Sequence, residues 1–408
     1  MDDFSTMPNE LGSNVDGYAT DWVGLESLFR ASPQVGEPDP KAEADLQAIR
    51  LVESILQKDP IMSHELHLQF RMALNLRQSS LADANLAEFM AHDHSLSLLA
   101  SSSITQALLR EMVTVAANIQ LLACACLATF SSRLRAVQPR RWEGSSGPRM
   151  FIVEGTGPYE PRDAGSPSWI EEYRVYRAIW HLQLHADLLV AGDKLNWPES
   201  DLEHLRTNHI DWNHLPDVAG EELRAVSECL ESLRGPTIQP SSSSSSSNSH
   251  LISQIPDVSQ LRHRFDVWVP PAQPKPSCNH DDVAYIWGQG LEMTGRNRAA
   301  NAWEACQFRT SHSRWAKFQV CSLQDSRPYR ALGMPIWDLW RLYGLGLWNA
   351  LYPIGPNRAT VPTPDGSEVP MGSCPPSCGG EIDYRFSVYI DARLKMEGQE
   401  RDAWVEGK

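Results

Sequence analysis

The stretch from Ser166 to Gly192, SPSWIEEYRVYRAIWHLQLHADLLVAG, limits the possible folds of this chain more than any other. Trp169, Tyr173, Tyr176, Trp180, Leu184 and Leu188 recur at spacings of three and four, which lays them along one face of a helix. A face with so much aromatic surface needs other helices to cover it. Ser168 stands as the N-cap ahead of an acidic first turn, Glu171 and Glu172, and Gly192 follows the last periodic residue as the stop. The expectation is a mainly α protein, a multi-helix, aromatic-rich globular bundle.

The rest of the chain supplies the covering helices. Leu46, Ile49, Val52 and Leu56 mark one from Ala42 to Lys58, and Leu66, Phe70 and Leu74 a second from Ser63 to Arg77, with Asp59-Pro60 between them. A short helix near Leu81 to His92 comes next. Between Glu111 and Arg133 no residue is charged, a run long enough for a membrane span. Thr114, Asn118, Gln120 and Thr129 interrupt it and no second span or basic flank supports insertion, so a buried central helix with no membrane partner is the reading. Asp201 to Arg206 and Ala219 to Leu233 also follow helical spacing.

The helical pattern then stops at an uninterrupted serine run, Ser241 to Ser247, whose composition cannot bury a core. Beyond it lie half of the fourteen tryptophans, between Trp268 and Trp348. Helices are expected from Asp281, over Arg298 to Val320, and through Ile336, Trp337, Trp340, Tyr343, Leu347 and Leu351 up to Pro353. The organisation read from this is a flexible N-terminal arm, 1–40, in which Trp22, Leu25, Leu28 and Phe29 can dock as one short helix. A first helical part, 41–235, follows, then a disordered Ser-rich linker, 236–260. A Trp-rich helical part, 261–352, packs on the core, and a Pro/Gly-rich tail, 353–408, ends in a short helix over Tyr384 to Met396.

Charge and cysteines narrow the setting. With 36 basic against 51 acidic residues, the net charge of -15 argues against broad attraction to nucleic acid or anionic membrane. The opening MDDFSTMPNELGSNVDG is acidic and polar where a signal peptide needs basic and then apolar residues, which predicts a cytoplasmic protein. Eight scattered cysteines, with Cys124 and Cys126 inside the apolar run, fit reduced thiols.

Several motifs reduce to structure. His181 and His185 share a helix face at the spacing used in helical zinc sites, but HExxH and a third ligand are absent, so core or rim histidines are expected and no metal. His64 and His67 are placed on a solvated helix edge. Cys374 and Cys378 lack the two-residue knuckle spacing and read as an ordinary loop. The glycines of YGLGLWN and WGQGLEMTG do not form a phosphate loop, and no G-x-S-x-G elbow occurs. The remaining constellation is Asp281, Asp282 and Glu292 with Trp287. Carboxylates at an aromatic helix start either hold a guanidinium or ammonium group, with the indole adding cation–π attraction, or compensate the helix dipole.

Two stretches, SPSWIEEYRVYRAIWHLQLHADLL and YRALGMPIWDLWRLYGLGLW, with the apolar helix 108 to 137 beside them, resemble a large group of filamentous-fungal helical proteins labelled F-box-like. The chain has no amino-terminal Leu-Pro-led F-box. That resemblance therefore implies a protein-binding or adaptor module without the part that docks to a ubiquitin-ligase scaffold.

The run DDVAYIWGQGLE is similar to the DD-x-x-E motif of the fungal arginine-containing cyclodipeptide synthases. This resemblance implies a secondary-metabolism enzyme that joins arginine from arginyl-tRNA to an amino acid from a second aminoacyl-tRNA, without a cofactor. Asp281 and Asp282 fill the first two positions as catalytic acids, and Tyr285 stands where the Glu of the motif would be. Glu292, two helical turns beyond Tyr285, is the third acid on the same face, and Trp287 and Tyr285 contact substrate. Arg296, Arg298, Arg309, Arg314 and Lys317 form a local basic run that can meet tRNA phosphates in an otherwise acidic chain.

Overall fold

The computed structural model describes residues 21–31, 41–78, 85–95, 104–136, 165–208, 217–234, 258–272, 327–337 and 341, with four three-residue strands between 348 and 382. The protein is mainly α. In chain order the helices are α1 (Trp22–Ala31), α2 (Lys41–Lys58), α3 (Leu66–Arg77), α4 (Leu86–Ala91), α5 (Gln106–Ala136), α6 (Trp169–Leu195), α7 (Glu199–Thr207), α8 (Asp217–Leu233), α9 (Val258–Leu261) and α10 (Arg327–Ala331). A 3-10 turn, Met62–His64, leads into α3. Two antiparallel strand pairs follow: β1 (Trp348–Ala350) with β4 (Gly380–Ile382), and β2 (Thr360–Pro362) with β3 (Glu368–Pro370).

Of the helix expected from Ile336 to Leu351, Arg341 is helical, but Trp348–Ala350 forms strand β1 instead. Leu332 to Trp337, where that helix was to begin, is likewise a turn and bend. Gly344 and Gly346 precede β1, and each costs a helix about 1 kcal/mol relative to alanine, which the aromatic spacing does not offset. The Pro/Gly-rich tail expected over 353–408 contains β2, β3 and β4. The serine run and the helices expected at Asp281, Arg298 to Val320 and Tyr384 to Met396 lie outside the described residues.

Residue contacts divide the chain into two compact units, Met1–Cys126, Glu172–Leu223 and Leu230–Ala272 in one, and Leu127–Glu171, Arg224–Cys229 and Gln273–Lys408 in the other. In the first unit an aromatic chain joins three helices. Trp22 of α1 stacks on Phe70 of α3 at 5.3 Å, and Phe70 meets Trp180 of α6 edge-on at 5.9 Å. Order thus begins upstream of Lys41, because a buried tryptophan on a ten-residue helix contributes enough apolar contact to dock it. Ion pairs add register: Arg71 of α3 with Glu53 of α2, and Arg77 of α3 with both Asp187 of α6 and Glu111 of α5. Glu26 of α1 is held by Arg30 and Arg262.

Helix α6 runs past Gly192, its expected stop. Trp197 donates its N–H to the Gly192 carbonyl and Asn196 to that of Asp193, while Asn196 takes the left-handed φ of 57°. This is a Schellman ending with asparagine at the left-handed position. Gly192 serves close packing instead, because a Cβ there would lie 2.8 Å from the Leu202 side chain and 3.0 Å from the Trp197 ring. Helix α5, uncharged between Glu111 and Arg133, is long and apolar enough to cross a membrane, yet 72% of its most apolar window is buried inside the protein.

In the second unit, Gly333 closes α10 by the same motif, with φ 74° and N–H bonds from Gly333 to Arg330 and from Met334 to Tyr329. A Cβ on Gly333 would meet Phe130 at 2.8 Å. Phe130 is in turn edge-on to Trp337, whose indole donates to the Leu332 carbonyl. Arg133 donates to the Ala331 carbonyl and Arg330 pairs with Glu228, so these turns are tied by side chains as well as by packing.

Candidate functional site

Asp281, Asp282, Glu292, Tyr285 and Trp287 lie outside the described residues, as do Arg296, Arg298, Arg309, Arg314, Lys317, Cys374 and Cys378. Among the described residues, polar groups concentrate within the first unit around α6. The aromatic spacing that buries Tyr176 also buries Glu172, one turn earlier on the same face. Sequence reasoning assigned Glu172 to dipole compensation at the helix start. Its position four residues before Tyr176, on the face that needed covering, was the signal that it would be buried.

Each acid of the cluster is held by a different device. Glu172 Oε1 accepts the indole N–H of Trp268 at 2.5 Å, and the Trp268 carbonyl accepts from Gln120 Nε2 at 3.1 Å. Gln120, in the uncharged run of α5, turns its Oε1 to the Trp22 and Val23 backbone N–H groups, at 3.1 and 3.2 Å. It therefore satisfies two of the orphan amides that open α1. Asp21 caps the same helix through Gly24 N–H and accepts from Gln120 Nε2 with its second oxygen. Asp59, in the pair read as a helix separator, accepts the N–H groups of Ile61 and Met62 at 2.8 and 2.9 Å through Oδ1.

Tyr176 is 2% exposed, and its hydroxyl has no hydrogen-bond partner among the described residues. Burial first, then the electrostatic influence of Cys124, Glu172, Asp59 and Asp21, holds the phenol well above its usual range, so it stays a neutral donor and acceptor. Burial also pushes the Cys124 thiol up to about 12, even though Cys124 Sγ donates to the Trp268 carbonyl. Such a thiol is a poor nucleophile. Asp59 is raised too, burial outweighing its two backbone donors.

His181 and His185 are both buried, and a ring nitrogen of His185 sits 2.8 Å from the Leu205 carbonyl. His64 is half-buried between exposed Ser63 and Glu65, and its ring packs edge-on against Tyr173 at 5.0 Å. Among the described residues no group of three or more His, Cys, Asp or Glu side chains is placed to hold a metal ion. No protein-family model matches the chain, and no curated protein or solved structure matches it either.

Proposed function

We propose that this protein is an enzyme that condenses arginine with a second amino acid into a cyclic dipeptide, taking both from aminoacyl-tRNAs. The observation that carries the reading is the DDVAYIWGQGLE run. Paired carboxylates suit a guanidinium, which forms charge-assisted hydrogen bonds to them, and the Trp287 indole adds cation–π attraction. In the reaction, the α-amine of one aminoacyl group attacks the ester carbonyl of the other, and the terminal hydroxyl of that tRNA leaves. The remaining amine then attacks the second ester, which closes the ring and frees the second tRNA. Asp281 or Asp282 relays the amine proton, with Glu292 as the third acid and Tyr285 beside the substrate. Arg296, Arg298, Arg309, Arg314 and Lys317 supply phosphate contacts.

The second reading is an F-box-like adaptor without catalysis, favoured by the aromatic stretches at Ser166 to Leu189 and Tyr329 to Trp348. Purified protein supplied with arginyl-tRNA and mixed aminoacyl-tRNAs separates the two. The enzyme forms an arginine-containing cyclic dipeptide, and Asp281→Asn or Asp282→Asn abolishes it with helicity and melting unchanged. An adaptor forms none, holds a stable protein partner and is indifferent to both substitutions.

A further inference from the structure

We infer that Asp187 of α6, with Arg77 of α3 and Glu111 of α5, forms a proton-operated latch within the first unit. The neutral acid keeps its turn of α6 docked, and the ionised acid lets that turn open locally. Asp187 Oδ1 accepts from Arg77 Nη2 at 2.7 Å and from Gln183 Nε2 at 3.1 Å. Its Oδ2 is buried with no hydrogen-bond partner among the described residues. A proton therefore has an unused oxygen to occupy, and both hydrogen bonds on Oδ1 survive its arrival. The latch does not depend on the Asp281–Asp282 run.

The charges of the cluster point the same way. Arg77 is shared by two carboxylates, its Nε 3.0 Å from Glu111 Oε1 while Nη2 holds Asp187, and its Nη1 is turned to the Ala73 carbonyl and the Met112 sulfur. With both acids ionised the three groups carry a net negative charge, which a single proton removes. The Glu111 side chain is 59% exposed and screened by water, whereas that of Asp187 is 11% exposed, so the proton goes to Asp187. Burial raises this carboxyl to about 6, with Glu111 adding to the rise and Arg77 and Gln183 opposing it, so the ionised form gains by reaching water. Water is close, because Val190, three residues on and on the same side of α6, is 55% exposed. Arg77 keeps Glu111 when Asp187 leaves, which confines the opening to α6.

The test is hydrogen exchange of the full chain from pH 4 to 7, read by peptide mass spectrometry and corrected for the intrinsic pH dependence of amide exchange. The opening constant of amides 183–191 is expected to rise about 10–100-fold over this range and to level off above pH ~6. Low urea concentrations should leave it unchanged, which marks the opening as local. Asp187→Asn, which keeps an acceptor for Arg77 and Gln183, should remove the rise and hold the turn closed at pH 7. Exchange that is flat with pH, that grows with urea as global unfolding does, or that rises equally in Asp187→Asn would overturn the latch. Should Asp187→Asn fold poorly, Glu111→Gln is read instead. It leaves Arg77 to Asp187 alone, so the rise should level off at a lower pH, and an unmoved profile would overturn the latch.

Discussion

Arg341 grips Glu171 with two parallel hydrogen bonds, Nε to Oε1 and Nη2 to Oε2, both 2.7 Å long. Glu171 is fully buried, and its Oε2 also accepts the Ser168 backbone N–H at 2.7 Å, the back-reaching half of a capping box. Arg341 in turn donates to the Gly165 and Ser166 carbonyls and lies 4.9 Å over the Trp337 ring. One guanidinium therefore fixes the entry to α6 and the turn after α10 within the second unit. Removing one partner leaves a buried charge, which typically costs about 3–5 kcal/mol, whereas removing both costs little. Arg341→Met is expected to lose that much in urea unfolding, and Arg341→Met with Glu171→Gln to recover most of it.

At Gly192 the prediction is steric. Alanine there places a methyl 2.8 Å from Leu202 and 3.0 Å from Trp197, so Gly192→Ala should cost about 1–3 kcal/mol despite the better helix propensity of alanine. Asn196→Gly, at a left-handed φ of 57°, should be neutral or slightly stabilising. Thermal melting of the two variants separates packing from capping, since a C-cap glycine at 192 would give the opposite order.

Asp187 carries a pH dependence. Burial raises its carboxyl to about 6, against the opposing pull of Arg77 and Gln183, with Glu111 adding to the rise. Its folded pKa thus lies above the unfolded value of about 4, so its stabilising contribution is complete below pH ~4 and lost as pH rises through ~6. The contribution is about 3 kcal/mol. Urea unfolding from pH 4 to 7 should show this decline in the wild type, and Asp187→Asn should lack it.

Cys124, Cys126 and Cys229 are buried thiols outside any disulfide, and that of Cys124 is pushed up to about 12. Alkylation at pH 8 followed by peptide mapping should leave these three unmodified in native protein and label them in urea. Labelling of Cys124 in the folded protein at the rate of an exposed thiol would contradict its burial.

Helix existence was readable where apolar spacing was dense, as in α2, α3, α5, α6 and α8, because a covered stripe repeats every three to four residues. The fate of charged residues was not. Glu171 and Glu172 both look like first-turn dipole acids, and only the arrival of Arg341 at one and Trp268 at the other, from far along the chain, shows why each can be buried. Local signals also misplace ends. Gly192 resembles a helix stop, but the left-handed residue is Asn196, and what decides is the side-chain packing of Leu202 and Trp197 against the glycine. The Tyr176 cluster was hidden for the same reason, since Asp21, Asp59, Gln120 and Trp268 come from four separate segments.

The most direct test of the function is to express the chain in a heterologous host fed isotopically labelled arginine and to search the extract by mass spectrometry. The account predicts a new labelled product at the mass of arginine plus a second amino acid minus two waters, absent with Asp281→Asn. A soluble, well-expressed protein that yields no such product would contradict it.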